Sequence, residues 1–396
     1  MGTKTYAITA LLVLLSAACA AGLGQPEAPN TPNGPPDPPE VSSDVDFTVT
    51  TVVEGLDHPW AMAFLPGDDS ILVTERPGRL RIIRNGALDP DPVQGIPEVD
   101  PRGQGGLLDI ELHPEFEENR LVYFAYSVGG PRGATTALGR ARYVDGALED
   151  LEELFVAEAW GSGGRHFGSR IMFHEGYLYM TIGDRGQMEE AQNLGNHMGT
   201  TLRLHDDGSV PQDNPFVDRD DALDEIYTYG NRNAQGMVVH PTTGAIWQSE
   251  HGPQGGDEIN VMEPGANYGW PDYRYGDHYT SAGIPDYDPD DDEIVAPVMD
   301  WTPAIAPAGI TFYTGNAFPE WHGDLFVASL VDRHVHRLRF DGTTVQEREV
   351  LLADRNQRIR DVVTGPDGFL YVLVDDSDAP ILRIQPASGD APDEEA

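Results

Sequence analysis

His166 and Asp184 are of the types that make a general base and the carboxylate that orients it: a free imidazole titrates near neutrality, and an aspartate on an adjacent strand can hold its ring. Asp184 stands in Thr181-Ile182-Gly183-Asp184-Arg185-Gly186, where capping the following turn is the plainer alternative. Arg232 with Asn233, Arg358 with Arg360, and Gln104 add forked guanidinium and amide donors. Such donors suit a planar, anionic partner, and a small carboxylate-bearing ligand fits them better than a polymer. Taken singly, each reads equally as a turn or rim residue at a strand end. Ser249 to Glu258, followed by Asn267-Tyr268-Gly269-Trp270-Pro271, gathers carboxylates among glycines and prolines whose carbonyls lie open. That is the hard-oxygen set of Ca²⁺ rather than the His/Cys set of zinc. The spacing is not that of an EF-hand, and in so acidic a chain a solvated loop accounts for the same composition.

Something must bring these residues together, since they are scattered from Gln104 to Arg360. The chain repeats itself. Ala61 to Gly67 leads into Ile71 to Thr74, Gly106 to Pro114 into Leu121 to Phe124, and Ser169 to Gly176 into Leu178 to Thr181. Gly236 to Pro241 leads into Ala245 to Trp247, Gly309 to Tyr313 into Leu325 to Val327, and Asp361 to Gly368 into Leu370 to Leu373. Each copy is a short apolar strand, a turn of Pro, Gly or Asp, and a second strand rich in β-branched or aromatic residues, which is hairpin chemistry. A repeat of this size, as short as the interval from Gly323 to Gly368, holds about four short strands. A lone four-stranded sheet cannot bury both faces, so six copies predict an all-β, six-bladed β-propeller of four-stranded antiparallel blades. Two unrelated β domains in tandem are the alternative. Gln104, His166, Arg232, Asn233, Arg358 and Arg360 all fall just before the first strand of a copy. In a propeller that strand lines the central channel, so their side chains converge on one mouth of it.

Composition bounds the rest. With 66 acidic against 25 basic side chains the formal charge is −41, which argues against nucleic acid as a partner. The acidic surplus reads as a solvating surface suited to a salty habitat and says nothing of the reaction. Glycine (44) and proline (32) mark many turns, while 39% apolar residues are ample for a core. Lys4 precedes an apolar run, Tyr6 to Leu15, that is too short to span a bilayer and ends in Ser16-Ala17-Ala18-Cys19. Residues 1–19 therefore read as an export signal, with a periplasmic or envelope location. Cys19, the one cysteine, resembles a lipoprotein cleavage site, although Ser16 stands where such sites prefer leucine; a lipid there is the only membrane contact expected. Residues 20–45 read as a proline-rich linker, 46–387 as the propeller and 388–396 as an acidic tail.

Six motifs stand in order: Gly103-Gln104-Gly105-Gly106-Leu107-Leu108; His166 with Ser169-Arg170; Thr181-Ile182-Gly183-Asp184; Tyr229 to Gly236; the Ser249 to Asn260 segment with Asn267 to Pro271; and Arg358-Ile359-Arg360-Asp361. Together they resemble the soluble sugar dehydrogenases dependent on pyrroloquinoline quinone (PQQ), of the glucose/sorbosone dehydrogenase family and especially its aldose branch. The resemblance runs from Val49 to Ile384. It implies a six-bladed propeller with the tricarboxylate quinone over the channel mouth. His166 would take the proton of the sugar C1 hydroxyl while hydride passes to the quinone, and Asp184 would hold the histidine. Arg232 would stabilise charge on the quinone oxygen, with Gln104 and Asn233 as hydrogen-bond partners, and Arg358 and Arg360 would pair with cofactor carboxylates. The Gly252 and Pro253 carbonyls would hold a Ca²⁺ that polarises the quinone. A second Ca²⁺ would use Glu258 and the Tyr268 carbonyl, and Tyr279 would contact the cofactor.

Two departures stand out. Where the family places a lysine after a Ser/Ala-Leu pair, Ser329-Leu330 is followed by Val331, and Arg333 is the nearest replacement. The Trp/Thr pair that covers the cofactor in glucose-specific members has no clean match in Trp301-Thr302-Pro303-Ala304. Both bear on affinity and sugar range more than on reaction type. The reading is thus a PQQ- and Ca²⁺-dependent aldose dehydrogenase that forms lactones and passes electrons to an external acceptor. A Ca²⁺-dependent propeller lactonase and a non-catalytic sugar- or protein-binding propeller are the alternatives.

Overall fold

A computed structural model describes residues 38–42, 45–67, 69–273, 276 and 293–387. The signal segment with Cys19, most of the linker, Tyr279 and the acidic tail lie outside the described residues. Among the described residues, the strands, beginning with β1 (Phe47–Leu56), form six four-stranded antiparallel sheets, with little helix. Blade 1 is β2 (Pro59–Phe64), β3 (Ile71–Glu75), β4 (Arg79–Arg84) and β5 (Ala87–Leu88). Blade 2 is β6 (Leu107–Leu112), β7 (Leu121–Gly130), β8 (Gly133–Val144) and β9 (Ala147–Val156). Blade 3 is β10 (Ile171–His174), β11 (Tyr177–Ile182), β12 (Thr200–Leu204) and β13 (Ile226–Thr228). Blade 4 is β14 (Ala234–Val239), β15 (Ile246–Glu250), β16 (Asp257–Val261) and β17 (Met299–Trp301). Blade 5 is β18 (Pro307–Phe312), β19 (Leu325–Ser329), β20 (Val335–Asp341) and β21 (Thr344–Leu351). Blade 6 is β22 (Ile359–Thr364), β23 (Leu370–Val374) and β24 (Ala379–Pro386), completed on its outer side by β1.

The six copies are thus the inner hairpins of a six-bladed propeller. The ring closes by pairing its beginning with its end, from Phe47↔Pro386 to Leu56↔Ala379. That ties the segment leading into blade 1 to blade 6, and Met62, Ile71 and Val73 of blade 1 pack in one cluster with Val362, Val372 and Ile381 of blade 6. Second strands such as β3 (ILVTE), β19 (LFVAS) and β23 (LYVLV) are buried at every position. A blade is packed by neighbours on both faces, so its middle strands read as continuous apolar runs instead of alternating. The outer strands regain polarity, as in β9 (ALEDLEELFV). Apolar clusters fill the seams between blades; Leu72 and Leu80 of blade 1, for instance, join Leu107 and Val122 of blade 2.

Two local features matter for the channel. In β2, β6, β14, β18 and β22 the pairing with the second strand slips within the first few residues. A bulge there re-aims side chains at the mouth while leaving the rest of the blade in register. Residues 39–41, at the end of the stretch read as a linker, lie along β21: Arg348 N–H donates to Pro39 O and Val41 N–H to Arg348 O.

Candidate active site

The loop entering blade 3 carries His166 with φ 55°, a conformation uncommon outside glycine. Three contacts hold it there. The His166 N–H donates to Gln104 Oε1 at 2.7 Å, the Gly168 N–H donates to Asn233 Oδ1 at 3.1 Å, and Gly183 gives the backbone room to pass, since a Cβ at 183 would collide with His166 O. Blades 2, 3 and 4 thus each supply part of the support for one imidazole.

His166 Nδ1 lies 2.6 Å from Asp184 Oδ1, at the end of β11. The carboxylate is fixed in turn by the Gly186 N–H (2.6 Å) and the Trp270 indole N–H (2.9 Å). Both side chains are nearly excluded from water. Burial lowers the imidazole below its ordinary range, helped by the Arg232 and Arg165 charges and only partly offset by Asp184. Burial works to raise Asp184, but the hydrogen bond from His166 and its charge, the Gly186 N–H and Arg232 outweigh it, so the carboxyl sits below its usual value. The pair is therefore a neutral imidazole donating Nδ1–H to a carboxylate, which leaves the Nε2 lone pair free to take a proton.

Arg232 reaches the same cleft from blade 4. Its N–H donates to Glu250 Oε1 (2.5 Å), Nη1 donates to His251 O (3.1 Å), and the guanidinium lies 5.4 Å from the centre of the Trp270 ring. Among the described residues the cleft, of about 500 Å³, is lined by Arg165, His166, Asp184, Gly186, Met188, Arg232, Pro253 and Trp270. Two arginines and a flat indole beside a neutral histidine make a cationic hollow in a strongly acidic protein, which suits a planar polyanion. Gln104 and Asn233 act from behind, on the backbone of the His166 loop. His251, also behind the cleft, is held at about 3, first by burial and then by the Arg232 charge; its Nε2–H donates to Pro307 O at 2.7 Å.

The remaining arginines are arranged differently. Arg358 donates to Asp375 Oδ2 (3.0 Å) and Leu330 O (3.1 Å), while the buried Arg360 donates to Gln235 Oε1 (2.8 Å) and Asp375 Oδ2 (3.1 Å). Burial opposes the Asp375 charge, yet Arg360, His58 and Arg358 together hold the carboxyl far below the ordinary range. These two arginines meet each other through Asp375 and do not line the described part of the cleft. Arg333 is exposed in the turn after β19, with Nη1 3.4 Å from Asn356 Oδ1.

The oxygen-rich segment of blade 4 has two parts. The Gly252 N–H donates to Asp257 Oδ1 (2.7 Å), and a Cβ at 252 would collide with the carbonyl oxygens of Gly255 and Gly256, so backbone oxygens crowd this turn next to Pro253 and the cleft. Deeper, Glu250, Glu258 and Asp300 stand abreast on β15, β16 and β17. Burial pushes Glu250 up to about 7, and burial together with the Glu250 charge pushes Glu258 well above the carboxylate range. Asn231 Oδ1 and Asn260 Oδ1 are buried with no hydrogen-bond partner among the described residues. Stacked carboxylates and orphaned amide oxygens fit a hard divalent cation, which would relieve both. The Tyr268 phenol donates to Val261 O at 2.7 Å, leaving the backbone carbonyl as the atom the resemblance invokes.

Arg165, Trp270 and His251 were not singled out from sequence as site residues. Arg165 directly precedes His166 and Trp270 ends a quoted motif, so position offered a signal for both. Nothing in the local sequence separates His251 from a loop histidine.

Residues 56–383 match the family model described as "Glucose / Sorbosone dehydrogenase". The chain is 42% identical over 346 residues to the aldose sugar dehydrogenase YliI of Escherichia coli, covering 85% of this chain and 92% of that one. Among solved structures, the apo-form of the soluble aldose sugar dehydrogenase of E. coli superposes with a TM-score of 0.83 at 41% identity, over 86% of this chain and 99% of that one. The PQQ-bound form of the aldose sugar dehydrogenase of Streptomyces coelicolor superposes with a TM-score of 0.71 at 26% identity, over 89% and 99%.

Proposed function

Because the chain belongs to the glucose/sorbosone dehydrogenase family and is a sugar dehydrogenase, we propose that it oxidises aldoses at the anomeric carbon to lactones, with PQQ and Ca²⁺ bound at the mouth of the channel. The observation that carries this reading is the neutral His166, clamped by Asp184, in one cleft with Arg232 and Pro253. Its relation to a relative whose structure is described as PQQ-bound supports the choice of cofactor.

His166 Nε2 accepts the proton of the C1 hydroxyl, and Asp184 stabilises the imidazolium that forms. Trp270 and the Gly186 N–H keep the carboxylate from turning away. Arg232 lies ready to stabilise negative charge that develops in the cleft, and its burial makes that interaction stronger than it would be in water. Bound there, PQQ supplies a two-electron acceptor for the C1 hydride and Ca²⁺ a Lewis acid that polarises it. The Gly252 and Pro253 carbonyls would hold that ion, and Glu258 with the Tyr268 carbonyl the second one. Arg358 and Arg360 would meet cofactor carboxylates only by sharing themselves with Asp375, and Arg333 only by moving from its exposed turn. Tyr279 remains a proposed cofactor contact. Residues 1–19 direct export to the periplasm or envelope, 20–45 tether the propeller, and electrons pass to an external acceptor.

The test is a dye-linked assay of the purified protein across a panel of aldoses, with and without added PQQ and Ca²⁺. Sugar-dependent bleaching that needs both additions is expected. Lactone hydrolysis without quinone, or sugar binding without turnover, would overturn the reading.

A further inference from the structure

The turn after β19 and the start of β20 carry Asp332-Arg333-His334-Val335-His336. Arg333, with φ 63°, turns the backbone between Asp332 and His334, and His336 is the second residue of β20, so the turn folds back towards the start of the strand. Their ligand atoms converge. His334 Nε2 lies 3.0 Å from His336 Nε2, and Asp332 Oδ2 lies 3.6 Å from the first and 3.7 Å from the second. A triangle with these sides has its circumcentre about 2.0 Å from each corner, which is the bond length that Zn²⁺ and its neighbours form with imidazole nitrogen and carboxylate oxygen. His336 is 3% exposed, and its Nδ1 has no hydrogen-bond partner among the described residues. Every polar contact that fixes this buried ring therefore runs through Nε2, the atom aimed at the cluster. Trp301 packs against the ring at 5.6 Å between centroids and limits its rotation.

We propose that Asp332, His334 and His336 form a binding site for a divalent transition-metal ion of the Zn²⁺ type on the rim of blade 5. None of the three lines the described part of the catalytic cleft. Two imidazoles and one carboxylate are borderline donors that select zinc and its neighbours, whereas Ca²⁺ demands six to eight oxygens. Asp332 and His334 reach the surface, so a fourth position is open to water. The three ligands span five residues of chain. The ion would clamp the turn after β19 onto β20 without adding a new connection.

The protein, stripped with chelator and reloaded with Ca²⁺, is titrated with Zn²⁺ by calorimetry and with Co²⁺ by visible absorption. Wild type is expected to take up one equivalent of Zn²⁺ that Ca²⁺ does not displace. Co²⁺ should give the intense bands of a four-coordinate site, which surface carboxylates do not produce. His334→Gln keeps a hydrogen-bonding group opposite the buried His336 and should abolish the bands. Asp332→Asn, at an exposed position, should weaken binding at least about tenfold. Circular dichroism checks that both variants fold. Equal Zn²⁺ uptake by wild type and His334→Gln, or six-coordinate Co²⁺ spectra in both, would overturn the proposal and leave the two imidazoles joined by a plain N–H···N bond.

Discussion

The waist of the channel and its mouth both hold a buried arginine, in opposite circumstances. At the waist Arg170 donates to Asp109 (3.0 Å), to Asp361 (3.4 Å) and to the Gln235 carbonyl (2.9 Å), and stacks 4.5 Å from the Trp60 ring. Burial disfavours its charge, but Asp109 and Asp361 more than offset that. Blades 2, 3, 4 and 6 are tied through one guanidinium. At the mouth Arg232 is just as buried, yet the hydrogen bond found for its guanidinium goes to a neutral carbonyl, and no carboxylate pairs with it among the ion pairs of the described residues. A buried charge paired in contact with carboxylates holds blades together; one beside a cavity, with carboxylates near but none in ion-pair contact, is poised for a charge from outside.

The sharpest break of this contrast is His166→Gln. It should lower kcat/KM about 10³-fold or more and leave the urea unfolding midpoint nearly unchanged, because the general base acts at the mouth and not in the blade seams. Comparable loss of stability would mean that the mouth is as structural as the waist. Arg170→Met inverts the expectation. With Asp109 and Asp361 left facing each other, urea unfolding should report a loss of roughly 3–5 kcal/mol. Asp184→Asn ranks next: with no carboxylate to stabilise the imidazolium, kcat should fall about 10²-fold in dye-linked assays while the fold persists. The smallest effect is in pH dependence. His166 sits below its ordinary value of 6.5, so the acid limb of kcat/KM should have its midpoint under 6.5. Since Asp184 stabilises the protonated ring, Asp184→Asn should move that limb lower still; a shift upward would contradict the clamp.

Much of this was legible in the chain. The inner hairpins are short apolar runs broken by turn residues, and local composition alone determines them, so their number predicted the blade count. His166 and Arg232 were visible because each precedes the first strand of a copy, and Asp184 because it follows the second strand of the copy that His166 opens. Other features were not, for physical reasons. The closure of blade 6 by Phe47–Leu56 joins chain ends and has no local signature. The commitment of Arg358 and Arg360 to Asp375 depends on which charge is nearest after folding, and sequence order does not encode that. The convergence of His334 with His336 has no local signature either, because the positive φ of Arg333 that folds the turn towards β20 is not legible in the sequence.

By itself the sequence determined the six-fold strand repeat, the order of the motifs and the residue types at each blade entrance, since these follow from side-chain chemistry and nearest-neighbour backbone preference. Only the tertiary structure decided which of the equivalent-looking arginines are neutralised and which carboxylates stand abreast across neighbouring strands. Those outcomes depend on distances between residues far apart in the chain, and in a low-dielectric interior a few ångströms separate a structural ion pair from a charge available to a ligand.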